Sequence, residues 1–488
     1  MKENKDPLGR YFIFLLVGLG MVRLLSLGLY PFADTTEARY GEIARLMVAT
    51  KDWITPQFSL GVPFWGKPPL SFWLTATGFQ VLGIHEWAGR FPSFIMNLLM
   101  VVMVWQLAAR QKGALFARAA SLILTSCLLF WIAGGAVMTD SSLGCATTLC
   151  MVSFWRVMDV KTSSGRLWGY LFFAGLAMGL LAKGPVALVL IGFPLAVWAV
   201  VCGQIRQVFQ RLPWIKGTLL TLALALPWYV AAEWKTPGFL EYFLVGEHWN
   251  RFLVSGWKGD LYGTAHARPR GTIWIYWLGA AFPWSIIVPG VLAKKRMGIS
   301  GPLKSGDGWY LYLILWSVTP MLLFTLAGNI LPAYVLPGLP AFALLGAGVL
   351  GKGTGAVSPR PILLGASFIL AFSILAILVV ASGFGPGQRS QKRLVQTVDQ
   401  FFDANGGGRL TYLFKKPFSA DFYSRGTAGR LDATAGLDNF LNDGTMDVVA
   451  LRKKHLQHIP GPMLTRFVKW KEINGYLLFK EKADLSRE

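Results

Sequence analysis

Runs of apolar residues separated by short polar connections fill most of the first 383 residues. Measured against the roughly 20 residues needed to cross a hydrocarbon core, about eleven of them count as spans. They lie near 11–30, 91–109, 115–137, 141–158, 167–183, 185–203, 214–233, 273–293, 309–328, 333–350 and 361–383. The piece 69–84 is apolar but short, and predicts an interfacial helix leading into the second span. After about residue 387 the pattern changes. Val395 to Phe402 carries a helical period, while Leu410 to Phe414, Asp447 to Leu451 and Tyr476 to Phe479 read as strands. The pattern predicts an α-helical polytopic membrane domain over 1–385, with a first outside loop at 31–90, followed by a small α/β domain over 386–488. No repeat of 20–50 residues is visible.

Composition agrees with this division. The chain is 54% hydrophobic and 15% charged, against about 25% charged for soluble domains. Its net charge of +22 could suggest nucleic acid. The basic residues, however, sit mainly in short loops between apolar runs and in the tail, which is a topology signal before it is a binding signal. With the N-terminus cytoplasmic, every inside loop is basic, from Lys2, Lys5 and Arg10 through Lys294, Lys295 and Arg296 to Lys352 and Arg360. An odd number of spans then places the C-terminal region outside. The N-terminal 30 residues imitate a signal peptide, but the long run holding Arg23 reads as a retained first span. Cys127, Cys145, Cys150 and Cys202 lie in or at the end of apolar runs and read as buried thiols without metal-ligand spacing.

The unusual polar residues gather at the outside ends of the runs. Asp34-Thr35-Thr36-Glu37-Ala38-Arg39-Tyr40 places two carboxylates, a guanidinium and a phenol directly after the first span, where a polar cluster is a site candidate by default. Local rules read Asp34 as an N-cap with Glu37 completing a capping box, ahead of the face formed by Ile43, Leu46 and Met47. Arg39 and Tyr40 have no capping role; Arg39 suits a phosphate by its bidentate fork, or else points at lipid headgroups. Lys67 sits between Trp65-Gly66 and Pro68-Pro69, held for a phosphate or as an interface anchor. Asp140 reads as the cap of the fourth span or as a site carboxylate, and Lys183 as a snorkelling lysine or a site cation. Glu247, His248, Arg251 and His266 share one long outside stretch, 234–272. Glu247, His248 and His266 leave room for a divalent metal, although their spacing is generic; no other cofactor is indicated.

The runs Asp34 to Met47, Lys51-Asp52-Trp53-Ile54-Thr55-Pro56, Phe64-Trp65-Gly66-Lys67-Pro68-Pro69-Leu70 and Gly89-Arg90-Phe91-Pro92-Ser93 resemble the bacterial lipid A aminoarabinose transferases. They also resemble the wider protein-mannosyltransferase-like clan of GT-C glycosyltransferases. Further matches run in order through Asp140, Leu181-Ala182-Lys183-Gly184-Pro185, Pro227-Trp228-Tyr229, Glu247 to Phe252, Phe282-Pro283-Trp284 and Leu331-Pro332-Ala333-Tyr334. The resemblance implies a GT-C fold, a polyprenyl-phosphate sugar as donor, and inverting transfer to a lipid A or other glycan or protein acceptor on the periplasmic side of a bacterial inner membrane.

It also implies a catalytic carboxylate in the first outside loop, Asp34 or Glu37, and a second at Asp140. Lys67, Lys183, Arg39 and Arg251 would hold phosphates, and Tyr40 and Tyr334 would line the cavity; His248 and His266, from the outside stretch 234–272, are further substrate-binding candidates. The family usually carries adjacent acidic residues where Thr36-Glu37 stands here, and an acidic residue where Gly66 stands. Two rival readings are a protein O-mannosyltransferase or another glycan-modifying relative, and a transporter or flippase. The transporter would place its charges near the midplane of repeated halves; a receptor acting through its tail would leave the loop motifs unexplained.

Overall fold

A computed structural model describes residues 7–159, 165–263, 266–294, 308–352, 356–433, 446–459 and 467–481. All eleven apolar runs are helical, though not all as single uninterrupted helices. Among the described residues six helices are long and apolar enough to cross a membrane, from Gly9–Ser26 to Pro359–Ala381, and a bent pair would make a seventh. That pair, Thr272–Ala280 and Trp284–Lys294, turns by 92° at Pro283, which has no N–H to continue the ladder. The run at 115–137 divides into Ala114–Thr125 and Leu128–Ala133, and the run at 333–350 begins as the 3-10 turn Pro332–Gly338. The apolar piece at 69–84 is the helix Leu70–Leu82.

Thr139–Met158 is buried at nearly every position, as expected of a helix packed on all sides. Two of its hydroxyls are satisfied within the helix, Thr147 and Thr148 donating to the Leu143 and Gly144 carbonyls at 2.8 and 2.7 Å.

The chain clusters into two compact units: Met1–Leu27 with Leu46–Ala376, and Gly28–Arg45 with Ile377–Glu488. The polar cluster after the first span, expected in the membrane domain, therefore groups with the C-terminal region. The core of this second unit is a five-stranded sheet in the order Gly429–Leu431, Arg409–Leu413, Asp447–Arg452, Tyr476–Glu481, Phe467–Ile473. The first three strands are parallel and the last two pairings antiparallel. Successive residues of Asp447–Arg452 face opposite sides: Val448 and Ala450 join one apolar cluster, Val449 and Leu451 the other. The helix Lys392–Ala404 closes the first cluster with Leu394, Val395, Val398 and Phe402. Gly28–Arg45 enters this unit through Phe32, fully buried, whose ring lies 4.8 Å from that of Phe422. Gly41 is small for a reason, since a Cβ there would come within 2.9 Å of the Phe32 ring.

Candidate active site

In the first unit polar residues at the ends of several helices converge. Asp140 lies in the first turn of Thr139–Met158, and Lys183 ends Gly165–Lys183. The Lys183 ammonium donates to the Asp140 carboxylate, and both residues are at least nine-tenths buried. This corrects both local readings. Met138, not Asp140, holds the N-cap position, and no side chain caps it; Lys183 does not snorkel but points inward to a counter-charge. The Lys183 Nζ lies 4.3 Å from the centre of the Tyr334 ring, within cation–π range. Tyr334 stands in the 3-10 turn after Leu331, its ring tilted against that of Phe324 with centres 4.5 Å apart.

A second ion cluster adjoins the first. Glu247 accepts from Lys67 Nζ at 2.7 Å and from Arg251 Nη1 at 2.8 Å, and Arg251 Nη1 also reaches Asp260 at 3.2 Å. Lys67 and Arg251 both act electrostatically on Lys183, so the three cations share one locality, and Tyr334 lies within electrostatic reach of Arg251. Burial pushes the Glu247 carboxyl up, but the charges of Lys67 and Arg251 outweigh it and hold the group at about 2. It is therefore an anion throughout the physiological range. A guanidinium carries five N–H donors, and both carboxylates are met by Nη1 alone. The rest of the fork is not spent on them.

The backbone explains how these side chains are aimed. Tyr242–Asn250 is a π-helix, a wide turn found mostly at functional sites, and it brings Glu247 and Arg251 to one face. Asn329 fixes the chain just beyond it, donating from Nδ2 to the Arg251 and Val254 carbonyls at 2.6 and 2.8 Å and accepting from the Gly256 N–H at 3.1 Å. His248 sits between the carbonyls of Phe243 and Lys183, at 2.7 and 3.1 Å, and burial holds it below its ordinary value. Gly184 permits this approach: it adopts φ +79°, and a Cβ there would meet the Phe243 ring at 2.6 Å and His248 at 3.2 Å. Lys67 is presented by a loop whose Trp65 N–H donates to the Tyr262 hydroxyl at 3.0 Å and whose Trp65 indole donates to Thr236 at 3.1 Å. At Gly66 a Cβ would come within 2.9 Å of the Phe64 ring, which leaves no place for the acidic residue that the family pattern carries there.

Glu247, His248 and His266 do not assemble into a metal-holding group among the described residues. Glu247 is engaged by two cations, both His248 nitrogens face carbonyls, and His266 is exposed, its carbonyl accepting from the Ile330 N–H. Sequence reading missed Asp260, Asn329 and Tyr242, whose hydroxyl donates to Glu247 Oε1 at 3.4 Å and accepts from the Leu261 N–H at 3.2 Å. Each makes its contact across a distance in sequence or by a backbone turn that no local motif marks.

The remaining candidates lie in the second unit. The helix begins at Thr36, and Glu37 accepts from the Ala33 N–H at 3.3 Å, while the Asp34 N–H donates to the Arg389 carbonyl, so the capping box expected between Asp34 and Glu37 does not form. Asp34 is not the cap. Its Oδ1 accepts from the Ser419 N–H at 3.1 Å, and its Oδ2 accepts from the Ser419 hydroxyl. The Arg39 guanidinium lies 5.3 Å from the Tyr40 ring and 5.8 Å from that of Phe418, and Tyr40 is buried. Burial raises the Asp34 carboxyl from 3.8 to about 6, against the Ser419 hydrogen bonds and the Lys415 charge. The folded protein thus holds the extra proton between those two values. The carboxyl's effect on stability is least unfavourable below pH 3.8, worsens as pH rises to about 6, and is constant above. Thermal unfolding from about pH 4 to 7 should show this decline, and Asp34→Asn should remove its share of the slope.

Residues 11–243 match the family described as dolichyl-phosphate-mannose-protein mannosyltransferase. The chain is 30% identical, over 69% of its length, to the undecaprenyl phosphate-alpha-4-amino-4-deoxy-L-arabinose arabinosyl transferase of Enterobacter sp. (strain 638). It is 32% identical, over 65% of its length, to the protein of that name from Edwardsiella ictaluri (strain 93-146). These matches span 58% and 55% of those relatives. Its fold is that of ArnT from Cupriavidus metallidurans bound to undecaprenyl phosphate, with a TM-score of 0.75 and 19% identity over 97% of this chain and 98% of the other.

Proposed function

We propose, from the premise that this multi-pass membrane chain is an aminoarabinose transferase-like protein of the GT-C type, that it moves a sugar from a polyprenyl phosphate to a lipid A or lipopolysaccharide-type acceptor. The observation that carries this reading is the convergence of Lys67, Lys183 and Arg251 on one buried locality, each beside a carboxylate. Such a site matches a phosphate that must leave with negative charge. The sequence resemblance to undecaprenyl-phosphate transferases supports the donor class. The basic loops support an N-terminus in the cytoplasm, with the site and the C-terminal region on the periplasmic face of the inner membrane.

In this reaction the bond between the anomeric carbon and the phosphate oxygen breaks as an acceptor oxygen attacks from the opposite face. The electron pair leaves with the lipid phosphate, whose charge Lys67 and Arg251 meet in a water-poor cavity. Asp140 fixes Lys183 beside them. A carboxylate takes the proton of an acceptor hydroxyl; an acceptor phosphate, already anionic, needs no base, and positioning then supplies most of the acceleration. Tyr334 lines the cavity beside Lys183.

Incubation of the purified protein with polyprenyl-phosphate sugars and either lipid A or peptide acceptors, with products identified by mass spectrometry, tests the proposal. The expected result is lipid A heavier by one sugar and free polyprenyl phosphate. Transfer to peptide alone would favour the protein O-mannosyltransferase reading; no transfer with any donor, together with solute uptake into liposomes, would replace the enzyme by a transporter.

A further inference from the structure

We infer that Asp34 is a positioning residue, and that the C-terminal region works in the reaction by holding the first outside loop through a Ser419-centred clasp. The inference rests on the transferase reading, because it concerns the geometry of the loop that carries Glu37, Arg39 and Tyr40.

Five hydrogen bonds and one ring contact within the second unit define the clasp. The Asp34 carboxylate takes both donors of Ser419, the backbone N–H and the hydroxyl. Ser419 is fully buried, and its Oγ accepts from the Gln391 N–H at 3.0 Å. That bond leaves the hydroxyl proton for Asp34. The main chain around the carboxylate is held as well: the Asp34 N–H donates to the Arg389 carbonyl at 3.1 Å, and the Phe32 N–H donates to the Tyr423 hydroxyl at 2.7 Å. The Phe32 ring packs edge-on against Phe422. Three stretches near 389–391, 419 and 422–423 thus grip the loop between Phe32 and Asp34, from as far as 391 positions away in sequence.

A carboxylate used in this way serves to hold the loop, whatever its affinity for a proton. Both its oxygens are committed to donors that a base would have to release. Asparagine, in contrast, keeps the clasp: its carbonyl oxygen accepts from the Ser419 N–H and its amide donates to the Ser419 Oγ after the hydroxyl rotates. The loop then stays in register, and a misplacement of about 1 Å, which can cost on the order of a hundredfold in rate, is avoided.

The experiment measures donor and acceptor kinetics of the full-length protein carrying Asp34→Asn, Asp34→Ala, Ser419→Ala or Glu37→Gln, with hydrogen–deuterium exchange over residues 28–45. Asp34→Asn should retain activity within about threefold. Asp34→Ala and Ser419→Ala should lower kcat by about tenfold to a hundredfold, with the donor KM little changed, and should raise exchange across 28–45 but not in the helices of the first unit. Asp34→Asn as inactive as Asp34→Ala would overturn the clasp in favour of a catalytic Asp34. Unchanged exchange and kcat in Ser419→Ala would overturn it as well. Failure of the underlying transferase reading is distinct, since the unaltered protein would then transfer no sugar while the exchange result still reported on the clasp.

Discussion

Asp140→Asn is expected to lower turnover by about 10²-fold, because Lys183 loses the counter-charge that fixes it and a misplaced group costs on that order, and to destabilise the protein; adding Lys183→Met is expected to restore the stability but not the activity. The asymmetry follows from burial. Asp140 and Lys183 are 7% and 8% exposed and are each other's counter-charge. Removing one charge strands the other, which costs about 3–5 kcal/mol for a buried pair. Replacing both by residues of similar volume is often neutral, because the desolvation of two ions is removed along with their attraction. Rates obey a different rule, since the double variant has lost both the carboxylate and the cation that would face the donor phosphate. Thermal midpoints of the two single variants and the double, combined as a cycle, should give a coupling of at least about 2 kcal/mol, while activity stays at the floor in all three. An Asp140→Asn enzyme that turns over normally would remove Asp140 from the chemistry and leave it a purely structural partner of Lys183.

That pair also marks the limit of what the sequence discloses. The apolar runs were legible because a span is a local property, about 20 residues of one character. The three strands expected in the C-terminal region appear as Arg409–Leu413, Asp447–Arg452 and Tyr476–Glu481, and its helix as Lys392–Ala404. Two further strands were not legible. Gly429–Leu431 is only three residues long, and Phe467–Ile473 is an edge strand whose mostly exposed residues include Lys469, Lys471 and Glu472. For the site, local rules assigned caps because capping acts over three residues. They gave Asp34 and Asp140 the wrong partners, since the actual partners, Ser419 and Lys183, stand 385 and 43 positions away. Glu37 does bond back into the turn before the helix, but to Ala33 and not to the Asp34 N–H that a capping box requires. Glu247 entered only as a weak metal ligand because its neighbour His248 suggested one. The π-helical turn that aims it at Arg251, and the loop that brings Lys67 to it, leave no periodic trace.

Arg251→Ala is expected to raise the donor KM by about 10²-fold, and Arg251→Lys to recover less than half of that loss on a logarithmic scale. Hydrogen bonds to charged groups contribute about 1.5–3 kcal/mol each, and one phosphate contact at the upper end of that range corresponds to about 10²-fold. Lysine restores the charge but not the planar fork, and Arg251 needs the fork: Nη1 is occupied by Glu247 and Asp260, so a phosphate must be met by the other nitrogens. An ammonium at the same place would be shared among two carboxylates and the donor. Glu247→Gln separates this positioning from the charge itself. It loses the anion that holds Lys67 and Arg251 together while adding net positive charge to the cluster. If attraction for the phosphate dominates, the donor KM falls; if presentation of the two cations dominates, kcat falls and KM rises. The geometry favours presentation, because Lys67 reaches Glu247 from a separate loop and has few other constraints on its long stem. Steady-state kinetics with a polyprenyl-phosphate sugar decide it, and a lower donor KM with unchanged kcat in Glu247→Gln would show that the carboxylate merely neutralises the site.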